Sequence, residues 1–247
     1  MKVSIITVSY NSESTIGETI NSVINQSYKN IEHIFIDGNS VDGTKIIIES
    51  SSHNKIFISE RDKGIYDAMN KGVGLATGEI IGILNSDDIF YDDFVIQKIV
   101  DTFLLEHHLD IVYGNLVYVK NNRGKEVVRK WISTEYFSDF FEEGNVPPHP
   151  SVFLKKSVYE LAGNFSLNYS LAADYEFLLR IFKKFNFKSK HIDYFLVRMR
   201  LGGATNKNLK NIVKGNMEII AAWKDNGFPI PPLLFIFRLI KRLIQFI

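Results

Sequence analysis

The chain has 247 residues, no cysteine, and 29 basic against 28 acidic side chains, for a formal net charge of +1. The lack of cysteine excludes disulfides, thiolate metal ligands and a cysteine nucleophile. The near-neutral charge argues against a nucleic-acid-binding protein that acts through a general basic field. No apolar run approaches the ~20 residues of a membrane-spanning helix, and the hydrophobic fraction of 45% suits one large α/β domain.

The first ninety residues alternate between short apolar runs and amphipathic segments. The predicted strands span 3–8, 31–36, 55–59 and 80–84. The predicted helices span 16–24, a segment that begins at Asp42, and 65–76. The last helix is predicted in spite of Gly72 and Gly74. This order of strands and helices is typical of a parallel, doubly wound sheet.

The remaining chain has a different rhythm. The predicted helices lie at 95–104, 172–182 and 208–223, and the predicted strands at 110–119, 126–132 and within 188–200. A break at 121–124 between two of these strands indicates a hairpin, and 143–151 is predicted as a loop. We therefore expect an antiparallel or mixed portion added to the parallel sheet.

Three predicted strands end in polar clusters, at 9–11, 37–40 and 85–88. Since the carboxyl ends of parallel strands meet at one edge of a sheet, where ligands bind in open α/β folds, we expect the clusters to converge. For each cluster alone, ordinary turn chemistry is the alternative explanation, because Ser, Asn and Asp favour turns.

Asp87 and Asp88 directly follow the buried run 80–84. Two adjacent carboxylates repel each other unless a cation or donors neutralise them. A divalent cation that holds phosphate oxygens is the simplest neutraliser. Neither a G-x-G-x-x-G nor a Walker A sequence is present, which favours a metal over a glycine loop as the partner of any nucleotide phosphates. The alternative is that an Asp caps the next helix.

Five segments, in this order, resemble the inverting glycosyltransferase family 2. They are VSIITVSYN, IDGNSVDGT, SERDKGIYDAMNKGVGLATGEIIGILNSDD, HPSVF and AADYEFLLR. The resemblance covers residues 2–205, and it is nearest to bacterial enzymes that build O-antigen, lipopolysaccharide, capsule or exopolysaccharide. It implies an α/β fold of the GT-A (Rossmann-like) type, with a mixed, mainly parallel sheet flanked by helices.

The resemblance also implies roles for individual residues. Asp174 takes the position of the general base, and Glu176 is a companion carboxylate. Asp88 first and Asp87 second are the implied metal ligands for Mn²⁺ or Mg²⁺, because Asn85 replaces the first Asp of the family's D-x-D pattern. The implied donor-binding residues are Thr7, Ser9, Tyr10, Asn11, Asp37, Asn70, Asn85 and Asp87.

Several of these residues have simpler explanations. Asp174 is also a suitable helix cap, and Asn70 is also an ordinary helix position beside Met69, which replaces the family's Arg. His149 stands between two prolines that hold it in an extended backbone. We expect His149 to contact the acceptor or the diphosphate, and the alternative is a loop histidine bonded to backbone.

The C-terminal segment is amphipathic. Its polar positions are 238, 241, 242 and 245, which form one narrow basic stripe on a helix. We expect a helix that lies in an anionic membrane surface. Packing on the catalytic domain or on a partner chain is the alternative. The expected organisation is a catalytic domain at 1–228, with nucleotide-binding (1–90) and acceptor-binding (91–228) halves, and a membrane-associating helix at 229–247.

The expected activity is that of a metal-dependent hexosyltransferase. It transfers a sugar from a nucleotide-sugar, most simply a UDP-sugar, to a saccharide or polyprenyl-diphosphate-linked acceptor, in the cytoplasm and peripherally at the inner face of the cell membrane. Two rivals stay open: a nucleotidyltransferase, disfavoured because 9–17 contains no Arg or Lys, and a non-catalytic subunit that binds nucleotide-sugar or lipid carrier.

Overall fold

The computed structural model describes residues 1–120, 126–201 and 209–246. Its strands are β1 (Val3–Ser9), β2 (Ile31–Asp37), β3 (Lys55–Ser59), β4 (Ile80–Ile83), β5 (Ile89–Phe90), β6 (Ile111–Val119), β7 (Val127–Trp131), β8 (Val152–Lys155) and β9 (Ser189–Arg200). Its helices are α1 (Ile16–Ile24), α2 (Thr44–Ser50), α3 (Ile65–Leu75), α4 (Val95–Leu105), α5 (Lys156–Ala162), α6 (Ala173–Leu179), α7 (Leu209–Asp225) and α8 (Leu234–Ile244).

The described strands form one sheet in the order β3-β2-β1-β4-β8-β6-β9-β5, with β7 paired to β6. The β1–β2, β2–β3, β1–β4 and β6–β9 pairs are parallel. The pairs of β8 with β4 and β6, of β5 with β9 and of β7 with β6 are antiparallel. The predicted mixed, mainly parallel sheet flanked by helices is therefore confirmed.

The strand order reverses between β1 and β4. The chain first adds β2 and β3 on one side of β1 and then returns through α3 to add β4 on the other side. The carboxyl ends of the strands at such a reversal border a crevice, because the connections diverge there. The polar turns after β1 and β4 both open onto this crevice.

Helices cover both faces of the sheet. The α3, α5, α6 and α7 helices pack with Ile6 and Val8 on one face. On the other face, α4 packs with Ile5, and α1 and α2 pack with Phe35. Alternate residues of β1 thus point into opposite layers of the core, as the two-residue period of a strand requires. All seven residues of β1 are buried.

Two strands were not predicted from the sequence. The two-residue β5 has no periodicity of its own and exists only through its pairing with β9. The β8 strand follows the loop predicted at 143–151 and is inserted antiparallel between β4 and β6. The predicted helix at 172–182 is found as α6, continued by a π-helical turn at Arg180–Lys184. The hairpin break predicted at 121–124 lies outside the described residues.

The two glycines of α3 have opposite surroundings. A Cβ atom on Gly72 would lie 2.4 Å from Cγ2 of Ile6 in β1, whereas a Cβ on Gly74 would meet nothing within 4 Å. The approach of α3 to the sheet therefore depends on Gly72.

We predict that Gly72→Ala destabilises the protein by about 1–3 kcal/mol, because the added methyl group overlaps a β-branched core residue. The matched control, Gly74→Ala in the same helix, should be neutral or stabilising by about 0.5–1 kcal/mol, since alanine is the better helix former. Urea unfolding of both variants measures the difference. Equal stability of the two variants would contradict this account of the α3–β1 contact.

Candidate active site

The carboxylate pair lies in a tight turn at the end of β4. Asp88 is fully buried, while Asp87 is exposed. The turn is held by Thr19 of α1, whose hydroxyl donates to the backbone oxygens of Ser86 at 3.0 Å and of Asp88 at 2.8 Å. The Asn85 side chain donates from Nδ2 to Oδ2 of Asp88 at 3.0 Å. The turn therefore presents the Asp87 carboxylate to the crevice and keeps the Asp88 carboxylate buried.

Burial raises the pKa of Asp88 well above its ordinary value, and the charge of neighbouring Asp87 raises it further. The Asn85 hydrogen bond, the backbone N–H of Arg200 and the charge of the Arg200 guanidinium oppose this shift. Asp87 reaches the surface, but the surrounding turn still removes part of its water, which raises its pKa, and the charge of Arg200 again acts against the shift. The pair is thus short of positive charge.

Two oxygen atoms in this turn lack partners. Oδ1 of Asp88 and Oδ1 of Asn85 are both buried and accept no hydrogen bond from the described part of the chain. Buried polar atoms are nearly always satisfied, so such a pair indicates a missing ligand. Hard oxygen donors suit Mg²⁺ and Mn²⁺. Over residues 1–120, 126–201 and 209–246 no three His, Cys, Asp or Glu side chains could hold a metal by themselves, so a cation here would need further oxygens from its substrate.

Asp37 proves to be a structural anchor. It has no exposed surface, and its two carboxylate oxygens accept hydrogen bonds from Ser9 Oγ at 3.0 Å, Ser40 N at 2.8 Å, Ser40 Oγ and Ser59 Oγ at 2.7 Å. These donors come from the ends of β1 and β3 and from the turn after β2. Asp37 and Ser9 therefore tie three strand ends together, and this structure leaves neither of them facing the crevice.

A cavity of about 450 Å³ lies beside this tie. Its lining residues are Tyr10, Gly38, Asn39, Val41, Arg61 and Asp62. Tyr10 is 65% exposed there, and a Cβ on Gly38 would lie 2.7 Å from Oδ2 of Asp62 and 3.3 Å from the Tyr10 ring. The absence of a side chain at Gly38 keeps this space open. Arg61 and Asp62 were not predicted as site residues, although they stand in one of the quoted segments.

The other predicted donor residues lie in different surroundings. Asn11, at a φ of 49°, accepts the N–H of Val41 on Oδ1 at 3.0 Å and so shapes the cavity wall. Thr7 is fully buried, with Oγ1 at 3.0 Å from Nε2 of His33. Asn70 uses its amide on the backbone of Phe165, donating to its oxygen at 2.9 Å and accepting its N–H at 3.0 Å. Of the set, Tyr10, Asn11, Asn85 and Asp87 lie at the crevice or its walls, whereas Thr7 and Asn70 do not.

Asp174 lies in the first turn of α6. Its Oδ1 accepts the Tyr66 hydroxyl at 3.1 Å and the N–H of Tyr175 at 2.9 Å, while Oδ2 accepts no hydrogen bond within the described residues. Asp174 is not the helix cap, because Ala172 takes that position and α6 has no side-chain cap. Burial raises the pKa of Tyr66, and the neighbouring Asp174 charge adds to this, so the phenol keeps its proton. The result is a fixed carboxylate with one available oxygen.

Glu218 of α7 holds the start of α6, and sequence reasoning missed it. Its carboxylate accepts the N–H groups of Ser170 at 3.1 Å, Leu171 at 2.8 Å and Ala172 at 2.9 Å. Burial by itself raises the pKa of Glu218, but these donors outweigh burial and lower it. Glu218 thereby replaces a local cap and fixes the turn that carries Asp174. No local sequence signal marks it, since it lies on another helix.

Glu176 has a supporting position. It is buried and forms a two-point ion pair with Arg180, with Nε–Oε1 at 2.9 Å and Nη2–Oε2 at 3.0 Å. Its Oε1 also accepts Asn226 Nδ2 at 3.1 Å. Glu176 therefore links α6 to the end of α7, which agrees with its expected supporting part.

His149 lies close to Asp174. Its ring meets Phe165 edge-on, with centroids 5.5 Å apart. Burial lowers the pKa of His149, and the Asp174 charge raises it in opposition. The His149 ring is therefore partly buried and within the electrostatic range of the carboxylate that the resemblance names as the base.

The family described as Glycosyl transferase family 2 matches residues 4–162. The chain belongs to this family and is a glycosyltransferase. A relative, the UDP-Glc:alpha-D-GlcNAc-diphosphoundecaprenol beta-1,3-glucosyltransferase WfgD of Escherichia coli, is 35% identical over 135 residues, which are 54% of this chain and 51% of that protein. The chain thus spans about half the length of this relative.

Two solved structures are similar to the whole chain. Staphylococcus aureus TarS 1-349 in complex with UDP-GlcNAc has a TM-score of 0.71 and 19% identity over 96% of this chain and 70% of that one. The mannosyltransferase PcManGT of Pyrobaculum calidifontis, in complex with GDP-Man and Mn²⁺, has a TM-score of 0.66 and 19% identity over 98% and 69%. The GT-A fold expected from the resemblance is confirmed. No described helix is long and apolar enough to cross a membrane.

We predict that Asp88→Asn stabilises the metal-free protein at neutral pH. The raised pKa of Asp88 means that ionisation costs folding free energy, and this cost appears as the pH rises through that pKa. The neutral amide avoids the cost, so Tm should rise by a few degrees at neutral pH, since 1 kcal/mol is worth roughly 2–4 °C in a protein of this size. The gain should vanish at acid pH.

Asp37→Asn is the matched control, since it neutralises another fully buried aspartate at the end of a neighbouring strand. Its amide NH₂ would face hydrogen-bond donors, so Tm should fall by the equivalent of about 1–3 kcal/mol. Thermal unfolding across pH, with and without Mn²⁺, measures both variants. Mn²⁺ should raise the Tm of wild type but not of Asp88→Asn. A lower Tm for Asp88→Asn at neutral pH would contradict the shortage of positive charge in the turn.

Proposed function

We propose that this glycosyltransferase moves one sugar from a nucleotide-sugar, a UDP-sugar, to a saccharide on a polyprenyl diphosphate, with inversion at the anomeric carbon. The product belongs to cell-surface polysaccharide biosynthesis. The observation that carries the proposal is the unsatisfied oxygen pair of Asn85 and Asp88 beside exposed Asp87, at the carboxyl edge of the sheet. The activity of the E. coli relative WfgD, a glucosyltransferase that uses UDP-Glc and a diphosphoundecaprenol-linked sugar, supports these classes of donor and acceptor.

A divalent cation, Mn²⁺ or Mg²⁺, fits this turn. Asp88 would be the first ligand and Asp87 the second, with Asn85 Oδ1 as the adjacent acceptor. When bound, such a cation offsets the charge that develops on the departing nucleoside diphosphate. The Mn²⁺ present with PcManGT supports a divalent metal in this fold. Arg200 already opposes the negative charge of the pair from the other side.

Asp174 is the proposed general base. Its Oδ1 is held by the Tyr66 hydroxyl and by backbone, which leaves Oδ2 for the acceptor hydroxyl. The acceptor oxygen loses its proton to Oδ2 as it bonds to the anomeric carbon, and the bond to the diphosphate oxygen breaks on the opposite face. A single displacement of this kind inverts the configuration. His149, beside Asp174, faces the same acceptor.

The nucleoside half of the donor is assigned to the cavity at Tyr10. Its exposed aromatic ring offers a flat surface to a base, and Gly38 leaves the room that the base needs. Asp62 and Arg61 supply polar groups at the wall. Asp37 directly precedes Gly38 and Asn39 of this pocket, and its expected contact with the donor stays a prediction.

The C-terminal segment, 229–247, is proposed as a peripheral membrane contact at the inner face of the cell membrane. Its helix α8 docks on the domain through buried Leu234 and leaves an apolar surface outside. The exposed side chains are Ile236, Leu239, Ile240, Leu243, Ile244 and Phe246, each between 46% and 60% exposed. We call this surface the outer apolar face. Exposed Lys241 on the same helix suits an anionic lipid surface.

The transfer reaction is tested with a donor panel. Purified protein is incubated with UDP-, GDP- and dTDP-sugars, Mn²⁺ or Mg²⁺, and a prenyl-diphosphate-linked saccharide, and nucleoside diphosphate release and product mass are followed. We expect transfer from a UDP-sugar, its loss with EDTA, and its recovery on adding back metal. Donor binding without transfer from any donor would instead indicate a binding subunit.

Asp174→Asn should lower kcat by about 10²- to 10⁴-fold, as expected when a general base is lost. UDP binding and Tm should stay near the wild-type values, because the amide can still accept from Tyr66. Asp101→Asn, an exposed carboxylate on α4, is the control and should keep full turnover. Unchanged turnover in Asp174→Asn would remove Asp174 from the mechanism.

The membrane contact is tested by flotation with vesicles that contain phosphatidylglycerol. Wild type should float, and Ile240→Glu/Leu243→Glu should stay in the dense fraction, because charges on the outer apolar face cannot enter the interface. Leu105→Glu, at an 83% exposed leucine on α4, is the control and should float like wild type. Wild-type protein that fails to float, or that self-associates through this face, would refute the membrane contact.

A further inference from the structure

Most of helix α8 packs in an inverted manner. Surface helices usually turn their apolar side to the protein, but beyond Leu234 and Phe235, which pack on the core, this helix turns polar side chains inward. Arg238 lies over the ring of Tyr175, with 4.7 Å from Cζ to the ring centroid. Two turns further, just past the end of α8, the Gln245 side chain accepts Nε of Arg129 from β7 at 2.7 Å, and its backbone oxygen accepts the N–H of Lys130 at 2.9 Å. The inward side of α8 therefore makes polar contacts with the domain.

Arg238 is held close to the proposed base. Tyr175, whose ring it covers, follows Asp174 in the chain, and the Asp174 charge acts on Arg238. Nη1 of Arg238 is buried and finds no hydrogen-bond partner in the described chain. A buried guanidinium N–H without a hydrogen-bond partner destabilises the fold, because arginine keeps its proton and its positive charge in proteins. Nη1 of Arg238 is therefore a buried hydrogen-bond donor that could be satisfied by a bound acceptor.

Arg129 and Arg242 stand on the same side of α8. Arg129 is buried, and its Cζ lies 4.5 Å from the ring centroid of Tyr118. Arg242 is four residues after Arg238, so the two share one face of the helix. The charge of Arg242 acts on Arg129, on Arg238 and on Tyr118. We call Arg129, Arg238 and Arg242 the arginine cluster.

The cluster borders the reaction site. Burial raises the pKa of Tyr118, Arg129 and Arg242 lower it, and both Asp88 and Asp174 raise it in turn. Tyr118 is therefore within the electrostatic range of the cluster and of both functional carboxylates. Neither Arg129 nor Arg238 forms an ion pair with a carboxylate among the described residues. Glu142, which also acts on Tyr175, is paired with Lys183 at 2.6 Å.

We infer that the arginine cluster binds the diphosphate of the acceptor lipid, next to Asp174 and beneath the outer apolar face. Arg129 and Arg238 are two cations without a carboxylate partner among the described residues, which favours binding of an anion beside them. Guanidinium groups suit phosphate oxygens as hydrogen-bond acceptors. The donor diphosphate is already assigned to the turn at Asp87 and Asp88. The outer apolar face belongs to the same helix, so the lipid chain attached to the diphosphate can enter the membrane there.

This inference rests on the proposed function for the choice of a lipid-linked acceptor. A direct binding measurement keeps the two separable. Farnesyl diphosphate and inorganic pyrophosphate are titrated separately into full-length protein saturated with UDP and Mn²⁺. We expect Arg238→Gln and Arg242→Gln each to weaken farnesyl diphosphate about 10- to 100-fold, the range for a charge-assisted hydrogen bond. Pyrophosphate should compete, with weaker binding.

The controls separate binding from folding and from general charge. Lys130→Gln removes one positive charge from the residue next to Arg129, on the exposed side of β7, and should bind farnesyl diphosphate like wild type. Arg242 is exposed, so Arg242→Gln should keep the wild-type Tm even if Arg238→Gln folds less well. UDP affinity should be unchanged in both arginine variants.

Three results would overturn the inference. Equal binding of farnesyl diphosphate by wild type and Arg242→Gln would exclude the cluster. A parallel loss of UDP affinity would assign the arginines to the donor. Pyrophosphate binding without farnesyl diphosphate binding would exclude a lipid source. Farnesyl diphosphate binding that depends on the cluster, in a protein that transfers no sugar, would instead contradict only the proposed function.

Discussion

The buried carboxylate of Asp88 is the constraint on which the crevice depends. It lies at the end of β4 with no exposed surface and with one oxygen unsatisfied, beside a second carboxylate that repels it. Such an arrangement is unfavourable in the isolated protein, and only a rigid turn can maintain it. The two hydrogen bonds from Thr19 supply that rigidity. The repulsion between the two carboxylates and the unsatisfied oxygen favour the cation that we propose for this turn.

The opposite wall of the crevice is positioned from a distance. Asp174 sits on a short helix whose start is held by Glu218 and whose outer side is held by the Glu176–Arg180 pair. Arg180 also donates to the backbone oxygen of Asn164 at 2.8 Å. The next residue, Phe165, is hydrogen-bonded through its backbone to the Asn70 side chain. Asn70, which the family resemblance associates with the donor, is thus hydrogen-bonded to the backbone near the proposed base.

Helix α8 has one side against the domain and the other side at its outer surface. Its inward side is cationic and faces Tyr175 and Tyr118, and its outward side is apolar. In an amphipathic helix that merely completed a core, the two sides would be exchanged. The observed order suits a ligand that is itself amphipathic, with an anionic head and an apolar chain. We therefore propose that this one helix both binds the acceptor diphosphate and contacts the membrane.

The sequence by itself determined the parallel half of the sheet and the place of its polar turns. Apolar runs of β-branched residues and the spacing of Ile16, Ile20 and Val23 are local patterns, and local patterns report the period of a strand or a helix. The tail was likewise recognisable as an amphipathic helix. Which way that helix faces was not, because a stripe of polar residues has the same period whether it points to solvent or to a cluster of tyrosines.

Only the tertiary structure decided how the polar residues are used. In the sequence, nothing shows which partners a polar residue will have. In the structure, Asp37 bonds Ser59, Asn70 bonds Phe165 and Glu176 bonds Asn226, and these partners are from 22 to 95 residues away. The β5 and β8 strands exist through pairing with β9, β4 and β6, and their own few residues carry no sufficient signal. The physical reason is the same in each case. A hydrogen bond or a ladder between distant segments depends on packing of the whole chain, while a sequence pattern records only the period of each segment.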